Sequence, residues 1–234
     1  APGQHCRQGL SQENVVAAAC RALAEGCRAL GIQSQLILCC MRGAPDTQNA
    51  ETLRLAREYL GKGVCAADLA GAEALFPTRG YAPLFAAVPG LPFTIHAGEA
   101  DGPESIRAAL AMGAKRIGHG VRCIEDAALV AELAQKGIPL EVCPTSNLQT
   151  CTFADWAHHP LKTLLEAGVK VTVNSDHRTV SSTTAQKEMA LAAQHLELSA
   201  AQQAQLWLNA ADAAFLPEAQ KQALRADVQA RLAG

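Results

Sequence analysis

A histidine and a glutamate lie three residues apart in His96-Ala97-Gly98-Glu99, directly after the apolar run 91–95. A histidine nitrogen is a common zinc ligand, and a glutamate carboxyl group can carry a proton to or from a substrate. Such a pair can equally close a strand end as hydrogen-bonded polar residues without a chemical role. The tetrapeptide alone leaves both interpretations open, so the decision depends on whether similar clusters recur.

Similar polar clusters follow three other apolar stretches of the sequence. They are Gly118-His119-Gly120, Cys143 to Asn147 and Asn174 to His177. Segments with helical spacing separate the clusters, so the repeating order is strand, polar cluster, helix. This alternation is typical of an α/β protein with a parallel sheet. The apolar runs place its strands near residues 35, 64, 92, 115, 138 and 169.

The spread of the clusters over several strand ends distinguishes two α/β architectures. An open doubly wound sheet collects its ligand at one switch point, whereas a TIM-type (β/α)8 barrel builds its site from many strand ends. We therefore predict a barrel that lacks two strands and forms a single domain over residues 1–234. The amphipathic segments within 181–234 are expected to be helices packed on its outside.

The overall composition indicates a soluble globular protein that acts on a small molecule. The 234 residues are 49% hydrophobic and 18% charged, which is enough apolar material for a sizeable core. A formal charge of -2 without basic runs speaks against a nucleic-acid or anionic membrane partner. The sequence shows neither a long apolar span nor a targeting segment, so we expect a cytoplasmic protein.

The cysteines and the remaining histidines give little sign of chemistry. The nine cysteines are scattered without a C-x-x-C pair, which predicts reduced and mostly buried thiols. Cys143 is accordingly interpreted as a core residue and not as a nucleophile. His158 and His159 precede a proline at a helix start, so both are expected to be surface or capping residues, as are His5 and His195.

In a barrel, the polar clusters meet at one mouth and could form a metal-dependent site. His96, Glu99, His119 and Asp176 would point into this mouth, and imidazole and carboxylate groups suit zinc, which in catalytic sites keeps one position for water. Zinc lowers the pKa of that water to about 7. Glu99 could then pass a proton to the substrate, and a second histidine could orient the water or take its proton. Such chemistry is hydrolysis or deamination.

Several motifs, in their order and spacing, resemble the adenosine deaminase family. They are Asp68-Leu-Ala-Gly71, His96-Ala-Gly-Glu99, Gly118-His119-Gly120, Glu141-Val-Cys-Pro-Thr-Ser146-Asn and Asn174-Ser-Asp176. The resemblance covers essentially the whole chain and implies a TIM-type barrel, with strands three to eight present in this chain and the first two absent. The implied reaction is attack of zinc-activated water on C6 of adenosine, which gives inosine and ammonia.

The resemblance also implies which residues bind the metal and carry protons. His96 and Asp176 would be ligands of one zinc ion. Glu99 would protonate N1 of the purine ring, and His119 would act on the zinc-bound water.

Four other residues would support the substrate and the metal ligands in this family. Gly71 would donate its backbone N–H to N3 of the purine, and His177 would donate an imidazole N–H to N7. Ser146 and Glu141 would hold the ligand groups in place through hydrogen bonds.

The chain departs from the family pattern at three places. It lacks the His-x-His motif that supplies two further zinc ligands, Ala72 replaces a common aspartate, and His177 stands where many members have an aspartate. From the first departure we expect the isolated 234-residue chain to be inactive and a missing N-terminal segment to be its partner.

Three functions stay open as hypotheses. The leading one is a zinc-dependent deaminase of the purine nucleoside adenosine, and the second is a deaminase of adenine or another aminopurine on the same fold. The third is a catalytically inactive relative that binds or scaffolds. Retaining four polar side chains at a barrel mouth would be an avoidable desolvation cost for a scaffold, which favours an enzyme.

Overall fold

The computed structural model describes residues 1–233 and has the predicted alternation of helices and strands. All six predicted strands are present. They are β1 (Leu36–Met41), β2 (Val64–Ala70), β3 (Thr94–Ala97), β4 (Arg116–His119), β5 (Leu140–Val142) and β6 (Val171–Val173). The predicted polar clusters lie at the carboxyl ends of the last four strands.

Ten α-helices lie within the described residues. They are α1 (Gln12–Leu30), α2 (Asp46–Glu58), α3 (Ala82–Ala86), α4 (Pro103–Met112), α5 (Ala127–Lys136), α6 (Pro144–Gln149), α7 (Leu161–Glu166), α8 (Ala185–His195), α9 (Ala200–Ala213) and α10 (Glu218–Ala233). Local sequence signals set several of their ends. Ser11 caps α1 by accepting the Asn14 N–H, and Gly31 ends that helix in a left-handed conformation.

By their internal contacts, the described residues fall into two compact units, the first formed by residues 1–96 and 108–114. In this unit β1 and β2 pair in parallel, with Leu38 opposite Ala67. Ala67 also forms a parallel bridge with Phe93, just before β3. Strand β2 is buried along most of its length, as is typical of a parallel strand covered on both faces. Asp68 and His96 are the site residues that these strands carry.

The second unit contains residues 97–107 and the chain from 115 onward. Its strands β4, β5 and β6 pair in parallel, with Ile117 opposite Leu140 and Leu140 opposite Val171. These three side chains are fully buried and form part of the core of the unit. The parallel pairing places the carboxyl ends of β4, β5 and β6 at one edge of the sheet.

The predicted C-terminal helices form and pack within the second unit. Helix α9 lies against β6, where the Asn209 side-chain amide donates a hydrogen bond to the Val171 carbonyl at 2.9 Å. The predicted capping box of Ser199 and Gln202 begins this helix. Helix α10 packs on α9, and an ion pair of 2.7 Å between Arg225 and Asp212 joins the end of α9 to α10. Within residues 1–233, none of the helices is both long enough and apolar enough to span a membrane.

The expected surface position of His159 is wrong. Its side chain is only 4% exposed because the ring packs beside the rings of Phe153 and Trp156, with centroids 5.6 and 5.9 Å away. Its Nδ1 accepts the N–H of Leu161, the first residue of α7, at 3.3 Å, so a capping contact exists inside the core. Burial lowers the pKa of the His159 ring to about 4.

Candidate active site

In the first unit, β2 and β3 bring a carboxylate against the histidine of the His-Ala-Gly-Glu motif. The His96 Nδ1 lies 3.1 Å from Oδ1 and 3.0 Å from Oδ2 of Asp68. A ring nitrogen that close to a carboxylate carries the hydrogen, which leaves the Nε2 lone pair of a neutral ring for a ligand. Metal-binding histidines commonly have this arrangement, with a carboxylate behind the ring.

The Asp68 carboxyl group is buried but remains ionised. Burial by itself raises the pKa of Asp68, but the His96 ring and the backbone N–H of Leu69 stabilise the carboxylate. The net result is a pKa below the ordinary value for aspartate. The Leu69 N–H donates to Oδ1 at 2.7 Å. Asp68 therefore presents a fixed negative charge to the His96 ring.

A buried arginine fixes the backbone on which His96 stands. Arg42, directly after β1, is 5% exposed and donates to the His96 carbonyl at 2.6 Å. The same guanidinium donates to Thr78 Oγ1 at 2.9 Å and to the Phe76 carbonyl at 2.8 Å. A planar guanidinium with five N–H donors can join three segments in this way.

Gly71 lies beside Arg42 and requires a glycine at its position. Its φ is +110°, and a Cβ there would lie 3.3 Å from both the backbone nitrogen and the Cβ of Arg42. The residue is exposed at the end of β2. An open backbone of this kind allows a ligand to approach closely.

In the second unit, Glu99, His119 and Asn147 form one contiguous polar cluster. Glu99 Oε2 lies 3.4 Å from His119 Nε2. The Asn147 amide nitrogen lies 3.1 Å from His119 Nδ1 and 3.3 Å from Glu99 Oε1. The Thr150 hydroxyl also lies 3.1 Å from Glu99 Oε1. The structure thus brings together the two residues predicted to carry protons and adds two that were not predicted.

His119 is held in a conformation that non-glycine residues rarely adopt. Its φ is +57°, and its side chain is buried at the end of β4. A left-handed backbone at a bulky residue costs on the order of 1 kcal/mol or more, and such strain concentrates at functional sites.

Two motif glycines allow the loops after β3 and β4 to approach each other. Gly98 has a φ of +75°, and its Cβ position lies 3.5 Å from the Cα of Gly120. The backbone also joins the loops, since the Gly120 N–H donates to the Ala97 carbonyl at 3.1 Å and the Arg122 N–H to the Gly98 carbonyl at 3.0 Å. A Cβ would lie 2.4 Å from Ile106 Cδ1 at Gly98 and 2.6 Å from Leu140 Cδ2 at Gly120, whose φ is +67°, so both motifs require glycine at these positions.

Asp176 is held by the segment that follows β5. The Ser146 hydroxyl donates to Asp176 Oδ2 at 2.8 Å, and Asp176 has a left-handed backbone with φ of +48°. The neighbouring Thr145 N–H donates at 3.0 Å to the buried carboxylate of Glu188, which also accepts the Thr183 hydroxyl at 2.5 Å. Glu188 therefore connects the α6 start to the loop that carries Asp176.

The remaining predicted residues have different surroundings. His177 is exposed in the loop after β6, where its carbonyl accepts the Ser181 N–H at 2.9 Å. Glu141 points to Arg116, with Oε1 and Nε 2.5 Å apart. Cys143 is buried, and desolvation followed by the negative charge of Asp176 raises the pKa of its thiol well above the ordinary value.

Several residues that shape the cluster were missed by sequence reasoning. They are Arg42, Asp68, Asn147, Thr150 and Glu188. Asp68 and Asn147 lie inside recognised motifs, but only tertiary contacts reveal their partners. Glu188 had a usable signal, because a glutamate stands four residues after a helix N-cap among apolar positions.

Comparison with known proteins gives consistent matches over the whole chain. A family model described as adenosine deaminase matches residues 1–231. An adenosine deaminase from Haemophilus ducreyi is 49% identical over 238 residues, which cover 99% of this chain and 69% of the relative. The chain spans about two thirds of the length of the bacterial relatives that it matches.

Solved structures of purine deaminases have the same fold. The adenine deaminase from Arthrobacter aurescens superposes with a TM-score of 0.91 at 29% identity, covering 100% of this chain and 72% of that one. The Arabidopsis N6-mAMP deaminase superposes with a TM-score of 0.80 at 28% identity, covering 95% of this chain and 68% of that one.

Proposed function

Because the chain belongs to the adenosine deaminase family, we propose that the full-length protein hydrolyses adenosine to inosine and ammonia. The observation that carries the proposal is the contact between Glu99 and the buried His119, with Oε2 and Nε2 3.4 Å apart. A carboxylate can accept and deliver the proton that hydrolytic removal of an amino group needs, and an imidazole beside it can orient the water. In the proposed enzyme, these two groups face the reacting end of the purine.

The six parallel strands are proposed to take part in a TIM-type (β/α)8 barrel. This proposal is supported by the regular alternation of strands and helices and by the superposition on purine deaminase structures. In such barrels the active site lies at the carboxyl ends of the strands. The polar clusters after β3, β4, β5 and β6 occupy that end.

His96 and Asp176 are proposed as ligands of one zinc ion. The local chemistry of each residue fits this role, since Asp68 holds the His96 Nδ1 and turns Nε2 away from itself. The Ser146 hydroxyl donates to Oδ2 of Asp176, so Oδ1 of the same carboxylate is the oxygen proposed to bind the metal. Nitrogen and oxygen donors of this kind are ordinary zinc ligands. When bound, zinc supplies Lewis acidity that lowers the pKa of a water molecule.

Glu99 is proposed to transfer protons between the water and the purine, and His119 is proposed to orient the water. Glu99 accepts a proton from the attacking water and delivers a proton to N1, which makes C6 more electrophilic. His119 orients the water through a ring N–H. The burial of His119 supports this division, because hydrogen bonds are stronger where water is excluded.

Purine recognition is proposed to involve backbone and side-chain donors around the site. The N–H of Gly71 would bond N3, which is supported by the exposed backbone and by the absence of a side chain there. His177 would donate to N7 from the exposed loop after β6. Glu141 is proposed to support the site indirectly, by holding Arg116 on β4, the strand that ends in His119.

The proposal is tested by ammonia release from adenosine with zinc-loaded full-length protein and with Glu99→Gln. The variant should keep its zinc but lose about 100-fold or more in kcat, because an amide neither accepts nor delivers the proton. Glu125→Gln, which changes a half-exposed glutamate paired with Arg122, is the matched control and should retain full activity. Activity of Glu99→Gln at the wild-type level would refute the role of Glu99.

Adenine is the second candidate substrate. The structural likeness to an adenine deaminase, with a TM-score of 0.91, favours it over other aminopurines. Comparing kcat/KM for adenosine and adenine separates the two. A wild-type protein that releases ammonia from neither compound would refute both candidates, and failure on a panel of other aminopurines as well would support the inactive-relative hypothesis.

A further inference from the structure

Asn147 is fully buried, and its amide nitrogen contacts the two side chains, Glu99 and His119, that are proposed to act on the water and the purine. The nitrogen lies 3.3 Å from Glu99 Oε1 and 3.1 Å from His119 Nδ1. A primary amide has two hydrogens on this nitrogen, so it can donate to both partners at once. The Asn147 oxygen is also buried and makes no hydrogen bond with the described residues.

The contact with Glu99 determines which end of the amide faces the cluster. If the amide were reversed, its oxygen would face the carboxylate oxygen of Glu99, and two acceptors would lie about as close as hydrogen-bonded atoms. The nitrogen must therefore face Glu99. The same nitrogen then faces His119 Nδ1, and since an amide nitrogen only donates, Nδ1 must accept.

We infer that Asn147 is a positioning residue that keeps His119 in the tautomer with its hydrogen on Nε2, the ring nitrogen on the side of Glu99. This inference rests on the proposed function for its catalytic meaning, although the tautomer itself does not depend on any activity. A neutral ring in this state donates from Nε2 and cannot accept a proton there. Glu99 is consequently the residue that accepts a proton, and His119 is the residue that orients the water.

The position of Asn147 is fixed by its backbone as well as by its side chain. It lies within α6, where its N–H donates to the Cys143 carbonyl at 2.9 Å. Its own carbonyl accepts the Thr152 N–H at 2.9 Å. Ser146, its neighbour, holds Asp176. The amide is thus presented from a short rigid segment, as positioning groups in active sites commonly are.

The tautomer is measured directly by NMR on zinc-free protein with 15N-labelled histidine. Long-range 1H–15N spectra distinguish protonated from unprotonated ring nitrogens, and His119→Gln identifies the His119 signals. The wild type should show a protonated Nε2 and an unprotonated Nδ1, whereas Asn147→Ala should populate both tautomers. A hydrogen on Nδ1 in the wild type, or an Asn147→Ala spectrum identical to the wild type, would overturn the inference.

A matched variant distinguishes the effect of Asn147 on the His119 tautomer from its effect on the position of Glu99. Thr150→Val removes a second donor to Glu99 Oε1 and leaves the contact between Asn147 and the His119 ring in place. Its His119 spectrum should equal that of the wild type. A tautomer change in Thr150→Val as large as that in Asn147→Ala would overturn the specific role of Asn147.

Steady-state kinetics then tests the positioning role in catalysis. Asn147→Ala should lower kcat by about 10- to 100-fold with little change in KM, as for residues that orient groups in a site. Asn209→Ala removes another buried amide donor, at 3% exposure and bonded to the Val171 carbonyl, and should leave kcat of the folded protein unchanged. Equal kcat values for Asn147→Ala and the wild type would refute the role. If the wild type deaminates no purine, the proposed function fails, while the NMR measurement still decides the tautomer.

Discussion

Replacing Gly98 by alanine should destabilise the protein through a clash that the structure locates. The residue has a φ of +75°, and an added Cβ would lie 2.4 Å from Cδ1 and 2.6 Å from Cγ1 of Ile106. Ile106 is fully buried on α4, so its side chain has little room to move away. Left-handed backbone at alanine costs about 1–2 kcal/mol, and overpacking of a filled core adds about 1–3 kcal/mol. The expected total loss is about 2–5 kcal/mol.

Gly61 provides a control in which only the backbone term is present. Its φ is +74°, and no atom lies within 4 Å of its Cβ position. Gly61→Ala should therefore lose about 1–2 kcal/mol, the cost of the left-handed conformation alone. Urea denaturation followed by circular dichroism gives the free energy of unfolding of both variants. Equal losses in the two variants would show that the loop accommodates the methyl group and that the packing argument is wrong.

Two further predictions concern zinc affinity and acid stability. Asp68→Asn should weaken zinc binding about 10- to 100-fold, because it removes the charge behind the His96 ring. Competition with a chromophoric chelator measures the affinity, with Asp155→Asn, which changes an exposed Asp–His pair 2.7 Å apart, as the control. Unchanged affinity in Asp68→Asn would contradict the proposed His96 ligand. Burial lowers the pKa of His159 to about 4 from 6.5, so the unfolded chain binds the extra proton as pH falls from about 6.5 to 4. This uptake should remove up to about 3 kcal/mol of stability over that window and none above it. His159→Phe should flatten the dependence of unfolding free energy on pH there, and an unchanged slope in the variant would refute the assignment.

The strand positions could be predicted because buried parallel strands consist of short runs of apolar residues. Even β5 and β6, which have three residues each, were located from such runs and from the polar residues that follow them. The ends of α1 were likewise set by Ser11 and Gly31, whose effects are local. Local chemistry of this kind needs no knowledge of the rest of the chain.

The contacts around the site were less predictable because they join residues far apart in sequence. Asn147 meets Glu99 across 48 positions and His119 across 28. The hydrophobic periodicity of a sequence indicates helices and strands, but it does not predict contacts between such distant residues. The burial of His159 was missed for a different reason: its ring partners Phe153 and Trp156 are close in sequence, but the pattern did not show that this segment packs into the core.

The shared amide of Asn147 has a consequence for how the sequence can change. One nitrogen serves the carboxylate of Glu99 and the ring of His119, so the energetic effects of altering these three residues are not independent. A substitution at any one of them therefore removes a hydrogen-bonding or ion-pair contact from the other two. We therefore expect the free-energy changes of double substitutions among these three residues to differ from the sum of the single changes.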